Sequence, residues 1–249
     1  MSTAPIRIDQ SEAALRRDLA ACYRLIAMYG WDDLIATHVS VRLPEGNGFL
    51  INPFGLMFEE ITPDSLIKVD LDGNLLAPTK WSVNAAGFAI HSAIHAARHD
   101  ALCVMHLHTP DGIAVSMCED GLLPENQTAL IHAGGIAYHD YEGIACLDER
   151  ERLVEHLGDK SVMLLRNHGT LTMGPSVAAA FTSMYFLETA CTIQVRALGM
   201  NLPLHKVEQK VINEFAGMRN MEKMEEMSQS LVWPALLRKL DRHDPTWRG

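Results

Sequence analysis

The chain has 249 residues, enough to bury a substantial core as one large domain or two small ones. Apolar residues make up 48% and charged ones 21%, ordinary globular usage that favours neither disorder nor a membrane protein. A formal charge of -10, without a concentrated Lys/Arg surface, argues against a general nucleic-acid binder.

The N-terminal stretch MSTAPIRIDQSEAALRRDLAA has no apolar core of signal-peptide length, and no later apolar run reaches the roughly 18 residues of a membrane span, so the cytoplasm is the expected location. Ser11 to Tyr29 places apolar residues at helical spacing, with Ser11 as N-cap and Gly30 as stop. ATHVSVRL, GFLINPFG and SLIKVDLDG follow as short strands between Gly, Pro and Asp breakers.

Asn84 to Asp100 reads as a helix capped by Asn84, and ALCVMHLH as a buried strand directly after it. Thr109-Pro110 matches an N-cap followed by a first-turn proline, so a helix is expected to start just beyond His108. SVMLLRNHGTLTMG divides into two strands at Asn167-His168-Gly169, and Ser176 to Gly199 is a long helix. Lys206 to Met227 has the periodicity of a packed or oligomeric helix. Without a repeat or a linker, residues 1–249 read as a single α/β domain. The five cysteines, Cys22, Cys103, Cys118, Cys146 and Cys191, are scattered and read as reduced core residues.

Twelve histidines are many for this length, and their clustering is the chemical clue. On a strand, residues i and i+2 share a face, so His106 and His108 can lean onto one ion while Leu107 faces the core. An isolated H-x-H also suits two core histidines bonded to the backbone. His168 tips the balance: Gly169 beside it permits a close turn, from which a third imidazole can reach the first two. Three imidazoles with an open coordination position describe a catalytic metal site. His91, His95 and His99 lie along one helix face; lacking the glutamate of H-E-x-x-H, they read as a surface or interface stripe.

AGFAIHSAIHAAR-D, HLHT, IAYHDYEG, LLRNHGTLTMG and WPALLRKLDRHDP, in this order from about Leu19 to Pro245, resemble the class II aldolase/adducin family, in its bacterial adducin-head-like branch. The resemblance implies a three-layer α/β/α fold around a central, largely antiparallel sheet, and a homo-oligomer, commonly a tetramer with sites near subunit boundaries. It also implies a divalent metal on His106, His108 and His168, with zinc expected first and manganese, iron, cobalt or nickel also suited to imidazole.

The Ser-Ser-Glu stretch of the aldolases, which binds substrate phosphate and supplies an acid/base carboxylate, is here Ala85, Ala86 and Gly87. Their Gly-Asn-x-Ser is Thr37 to Ser40, and their Thr-Gly is Phe54-Gly55. These losses argue against a sugar phosphate. They leave His38 and Phe54 as substrate-binding candidates, with Arg166 either a carboxylate clamp or one half of an ion pair under the sheet. His139, Tyr138, Tyr141 and Glu142 are candidates for the missing acid/base, although their segment also reads as a structural turn whose Asp140 and Glu142 hold local backbone donors.

The expected function is a metal-dependent carbon–carbon lyase acting on a small oxo- or hydroxy-carboxylate. Retro-aldol cleavage needs a base for the substrate hydroxyl and decarboxylation does not, so the missing carboxylate tilts the choice towards decarboxylation. The alternatives are a non-haem iron oxygenase and a non-catalytic scaffold like the adducin head.

Overall fold

The computed structural model describes residues 11–143, 149–217 and 221–248. Helix α1 (Glu12–Tyr29) opens where the Ser11 side chain accepts from the Ala14 amide. It closes at Gly30 in the left-handed region (φ 68°), where the next amide, Trp31, donates back to the Ile26 carbonyl at 3.0 Å. Strands β1 (His38–Arg42), β2 (Gly48–Ile51) and β3 (Ile67–Asp70) form an antiparallel meander. Helix α2 (Ala85–Ala97), capped by Asn84, leads into β4 (Cys103–Leu107), and α3 (Pro110–Ser116) starts on the Thr109 cap.

There follow α4 (Gln127–Leu130), β5 (Ile136–His139), α5 (Glu149–Leu157), β6 (Val162–Leu165), β7 (Gly169–Gly174) and the long α6 (Val177–Gly199). Helices α7 (Gln209–Gly217), α8 (Met221–Met227) and α9 (Trp233–His243) follow, α8 and α9 joined by a π-helical turn (Ser228–Val232), and a 3-10 turn (Pro245–Arg248) ends the described chain. No described helix is long and apolar enough to cross a membrane.

The seven strands make one sheet in the order β3-β2-β1-β4-β7-β6-β5, antiparallel at every step except β5 beside β6. That parallel pair requires a crossover, and α5 lies within it. The α/β fold with a largely antiparallel sheet is therefore the observed one.

Alternation along the strands divides the core between two helical layers. Val39, Val41, Cys103, Met105 and Leu107 pack with Leu19 and Tyr23 of α1 and Phe181 and Leu187 of α6. Val104, Leu171 and Met173 face the other way, onto Ile94 of α2 and Leu153 and Leu157 of α5.

Three expectations change. The first half of IAYHDYEG is the edge strand β5 rather than a turn, because its alternating side chains let it pair along β6; Asp140 to Gly143 lie beyond it. His91 and His95 do not form a surface stripe: both are buried where α2 meets the polar residues of β1, and only His99, past the helix end, is exposed. In the tail, α7 buries no side chain, whereas α9 anchors through Trp233 and Leu240. Cys22, Cys103 and Cys191 are buried thiols and Cys118 is partly exposed; Cys146 lies outside the described residues.

Candidate metal centre

Strand β4 ends one residue after His106, so His106 projects from the sheet on the α2 side and His108 from the chain just beyond. His168 arrives from the tight turn between β6 and β7, where its amide donates to the Leu165 carbonyl at 3.1 Å. That turn holds Asn167 at φ 60°, a conformation asparagine tolerates better than most residues. Gly169 closes it against β4. A Cβ there would collide with the Leu107 carbonyl oxygen and crowd the His106 and His108 rings, so glycine lets the two histidine-bearing segments approach.

The Nε2 atoms of the three histidines face one another, 2.8 Å apart for His106–His108, 3.1 Å for His108–His168 and 3.3 Å for His106–His168. Imidazole bonds of about 2.0–2.1 Å in a tetrahedral site separate ligand nitrogens by about 3.3 Å, close to this spacing. The Nδ1 atom of His106 is 2.9 Å from the Thr170 carbonyl, and that of His108 is 3.0 Å from the Asp33 carboxylate. Both partners accept only, so each Nδ1 carries the proton and each Nε2 a lone pair. Lone pairs aimed at one another from 2.8 Å repel, and a cation between them turns the repulsion into coordination. The donor set thus fits a divalent metal, with His108 and His168 partly open to solvent.

Burial, reinforced by the neighbouring imidazoles His108 and His168, pushes the His106 pKa well below its ordinary value. Burial and the nearby His108 and His139 bring that of His168 down to about 4. Neutral imidazole is the ligating form.

The other candidates divide. The Tyr141 ring stands edge-on to His168 with centroids 5.8 Å apart, and its side chain is exposed beside the centre. His139 is buried against α5, its Nε2 2.8 Å from Glu149 and its Nδ1 2.8 Å from His156. Tyr138 lies under the Arg166 guanidinium, 4.8 Å from its ring centroid, and its hydroxyl accepts from the Leu122 amide. Arg166 itself donates to the Cys118 and Glu119 carbonyls. Glu142 pairs with Arg152, and Phe54 is an exposed side chain whose backbone bridges to Ser82. Tyr141 and His38 therefore border the centre, while the bonds made by Tyr138, Glu142 and Arg166 hold other parts of the fold.

His38 pairs with His106 across β1 and β4, its ring centroid 5.1 Å from that of His106. It occupies the volume that a side chain at residue 87 would enter: a Cβ on Gly87 would stand 2.7 Å from Cγ and 2.8 Å from Nε2 of the His38 ring. Imidazole at 38 and any side chain at 87 exclude each other here.

A family model described as "Class II Aldolase and Adducin N-terminal domain" matches residues 17–195. The chain belongs to this family. An aldolase II superfamily protein from Pseudomonas syringae is 48% identical, covers 98% of both chains and superposes with a TM-score of 0.90. The L-fuculose 1-phosphate aldolase of Glaciozyma antarctica PI12 is 27% identical over 99% of this chain and 97% of its own, with a TM-score of 0.83. Rat alpha-adducin is 49% identical over 78% of this chain, a match that spans 27% of adducin. The class II aldolase/adducin family thus sets an aldolase, at 27% identity over nearly the whole chain, and an adducin, at 49% over part of it, beside this chain.

Several residues at the centre carry no motif. Asp33, in WDDL after α1, orients His108 across 75 residues, and the Thr170 carbonyl orients His106. Glu188 is buried on α6 between the Thr109 hydroxyl and that of Thr170, the latter at 2.5 Å, so it ties the segment after His108 to the one after His168. A lone carboxylate in the middle of an Ala-rich, largely apolar helix was the available signal for Glu188.

Proposed function

We propose that this chain is a metal-dependent carbon–carbon lyase acting on a small oxo- or hydroxy-carboxylate, by retro-aldol cleavage or decarboxylation, and not on a sugar phosphate. The observation that carries the reading is the convergence of three Nε2 atoms, two of which present lone pairs fixed by acceptor-only partners, beside a wall where His38 fills the place of a residue-87 side chain. His106, His108 and His168 would hold the cation, with zinc first and manganese, iron, cobalt or nickel also suited.

When bound, such a cation supplies Lewis acidity that polarises a substrate carbonyl and stabilises the negative charge left as the neighbouring carbon bond breaks. The chain's own residues do the rest. Asp33 and the Thr170 carbonyl keep His108 and His106 in the ligating tautomer, and Glu188 with its two threonines holds the ligand segments together. The Tyr141 hydroxyl, on an exposed side chain whose ring stands edge-on to His168, would exchange a proton with substrate, and His38, beside His106, would wall the site. We read the assembly as a homotetramer in the cytoplasm.

The test is elemental analysis of the purified protein, followed by turnover of a panel of oxo- and hydroxy-carboxylates by the wild type and by His106→Ala and His108→Ala. About one divalent ion per chain, lost together with turnover in both variants, is expected. Absence of bound metal, or variants that keep both properties, would overturn the lyase.

The absence of a carboxylate at residue 87, with the adducin match, favours a second reading as a non-catalytic scaffold. On that reading no acid turns over, and a protein partner is recovered whose binding is indifferent to His106→Ala.

A further inference from the structure

A chain of hydrogen bonds runs under α2 away from the centre. His38 Nδ1 is 2.8 Å from His91 Nε2, His91 Nδ1 meets the Ser40 hydroxyl, that hydroxyl is 2.7 Å from His95 Nε2, and His95 Nδ1 is 3.1 Å from the Ala101 carbonyl. All four side chains are buried.

The far end sets the direction of the whole chain. A carbonyl oxygen only accepts, so His95 Nδ1 carries a proton and, in a neutral ring, Nε2 is a lone pair. Ser40 must then give its single hydrogen to His95 and accept from His91, which places the His91 proton on Nδ1. His91 Nε2 is therefore an acceptor, and His38 must donate from Nδ1. The last step leaves His38 Nε2 as a lone pair. The two helix histidines of the relay are neutral because burial pushes them down, His91 well below the ordinary histidine value and His95 to about 3.

Among the described residues, His38 makes its side-chain hydrogen bond through Nδ1 alone. Its Nε2 lies against Gly87, and His38 is outside the set of nitrogens that converge on one point, which comprises only His106, His108 and His168. It is a lone pair beside the metal centre and not part of it. A phosphate or carboxylate oxygen presents lone pairs of its own and would be repelled there, whereas a hydroxyl can donate.

We propose that His38 Nε2 is a preset hydrogen-bond acceptor for a hydroxyl group of the substrate, its tautomer locked by His91, Ser40, His95 and the Ala101 carbonyl and its ring seated where a side chain at residue 87 would otherwise stand. The inference rests on the lyase reading for its substrate class, since it selects the hydroxy-carboxylates among the acids proposed above. It assigns the buried histidines of α2 to holding a proton on one side of His38 rather than to binding an ion.

The experiment is a neutron crystal structure of the deuterium-exchanged, metal-loaded protein with glycolate as probe, joined to calorimetric titration of the wild type and His38→Phe with glycolate and acetate. Deuterium is expected on Nδ1 of His38, His91 and His95, with the glycolate hydroxyl donating to His38 Nε2. The wild type should prefer glycolate to acetate, and His38→Phe should reduce that preference at least five-fold while leaving metal content and acetate affinity in place. Deuterium on His38 Nε2, a glycolate hydroxyl turned elsewhere, or a preference unmoved by His38→Phe would overturn the proposal. The neutron result needs no variant to fold. Failure of the lyase reading shows separately, as missing metal or missing turnover, with the His38 tautomer unaffected.

Discussion

At Gly169 the Leu107 carbonyl oxygen stands where a Cβ would go, and the His106 and His108 rings are its next neighbours. Gly169→Ala forces β4 and the β6–β7 turn apart. It should lower stability by about 1–3 kcal/mol, as overpacking does, and weaken metal binding, read by urea denaturation and chelator competition. Stability lost without any loss of metal affinity would show that the close approach serves folding alone. Asp33 acts at the same scale through one hydrogen bond to His108. Removing such an orienting partner costs about 10–100-fold in metal affinity, so Asp33→Ala should fall in that range while Asp32→Ala does not.

Helix α6 brings Glu188 into a setting where burial raises its pKa to about 7, against the lowering pull of the Thr109 and Thr170 hydroxyls and with Asp111 adding repulsion. The unfolded carboxyl ionises near 4.5 and the folded one near 7, so folding takes up a proton between these values. Stability contributed by this group is complete below pH 4.5 and is lost as pH rises through 7, a change of about 3 kcal/mol. Glu188→Gln stays neutral, so it should match the wild type near pH 5 and exceed it near pH 8 in urea denaturation under chelator; a pH-independent difference would refute the shift. Helix α2 responds oppositely. His95, held to about 3 by burial, titrates near 6.5 when unfolded, so the wild type loses up to about 1.4 kcal/mol per pH unit as acidity increases below 6.5. His95→Gln should flatten that acid limb of the stability profile.

On the scale of the whole molecule, α7 buries none of its side chains, and Leu198, Met200 and Leu202 stand exposed around the end of α6. Apolar surface of this kind suits an assembly. Light scattering is expected to give four times the chain mass of 27.6 kDa, and a single-chain mass would refute the tetramer. The same scale separates what could be read locally from what could not. Ser11, Asn84, Thr109 and Ser176 cap helices where their residue types and spacing place them, because a cap is satisfied within three residues. The segment of β5 was ambiguous because a four-residue strand is defined by its partner, here β6 more than twenty residues later. His91 and His95 misled for a related reason: a helical polar stripe looks solvent-facing until Ser40 and His38, some fifty residues earlier, satisfy it from β1.

The amino-acid sequence by itself determined the capped helices, the alternating strands and the H-x-H pair, all of them properties of neighbouring residues, while the family resemblance it carries singled out His168 and the glycine at 87. Only the tertiary structure decided that three Nε2 atoms meet, that Asp33 and the Thr170 carbonyl set two of them, and that the His38 ring lies in the volume next to Gly87. The reason is physical. Periodicity records which face a side chain takes, but the partner that makes a buried polar group tolerable comes from a distant segment, and sheet order and register choose it.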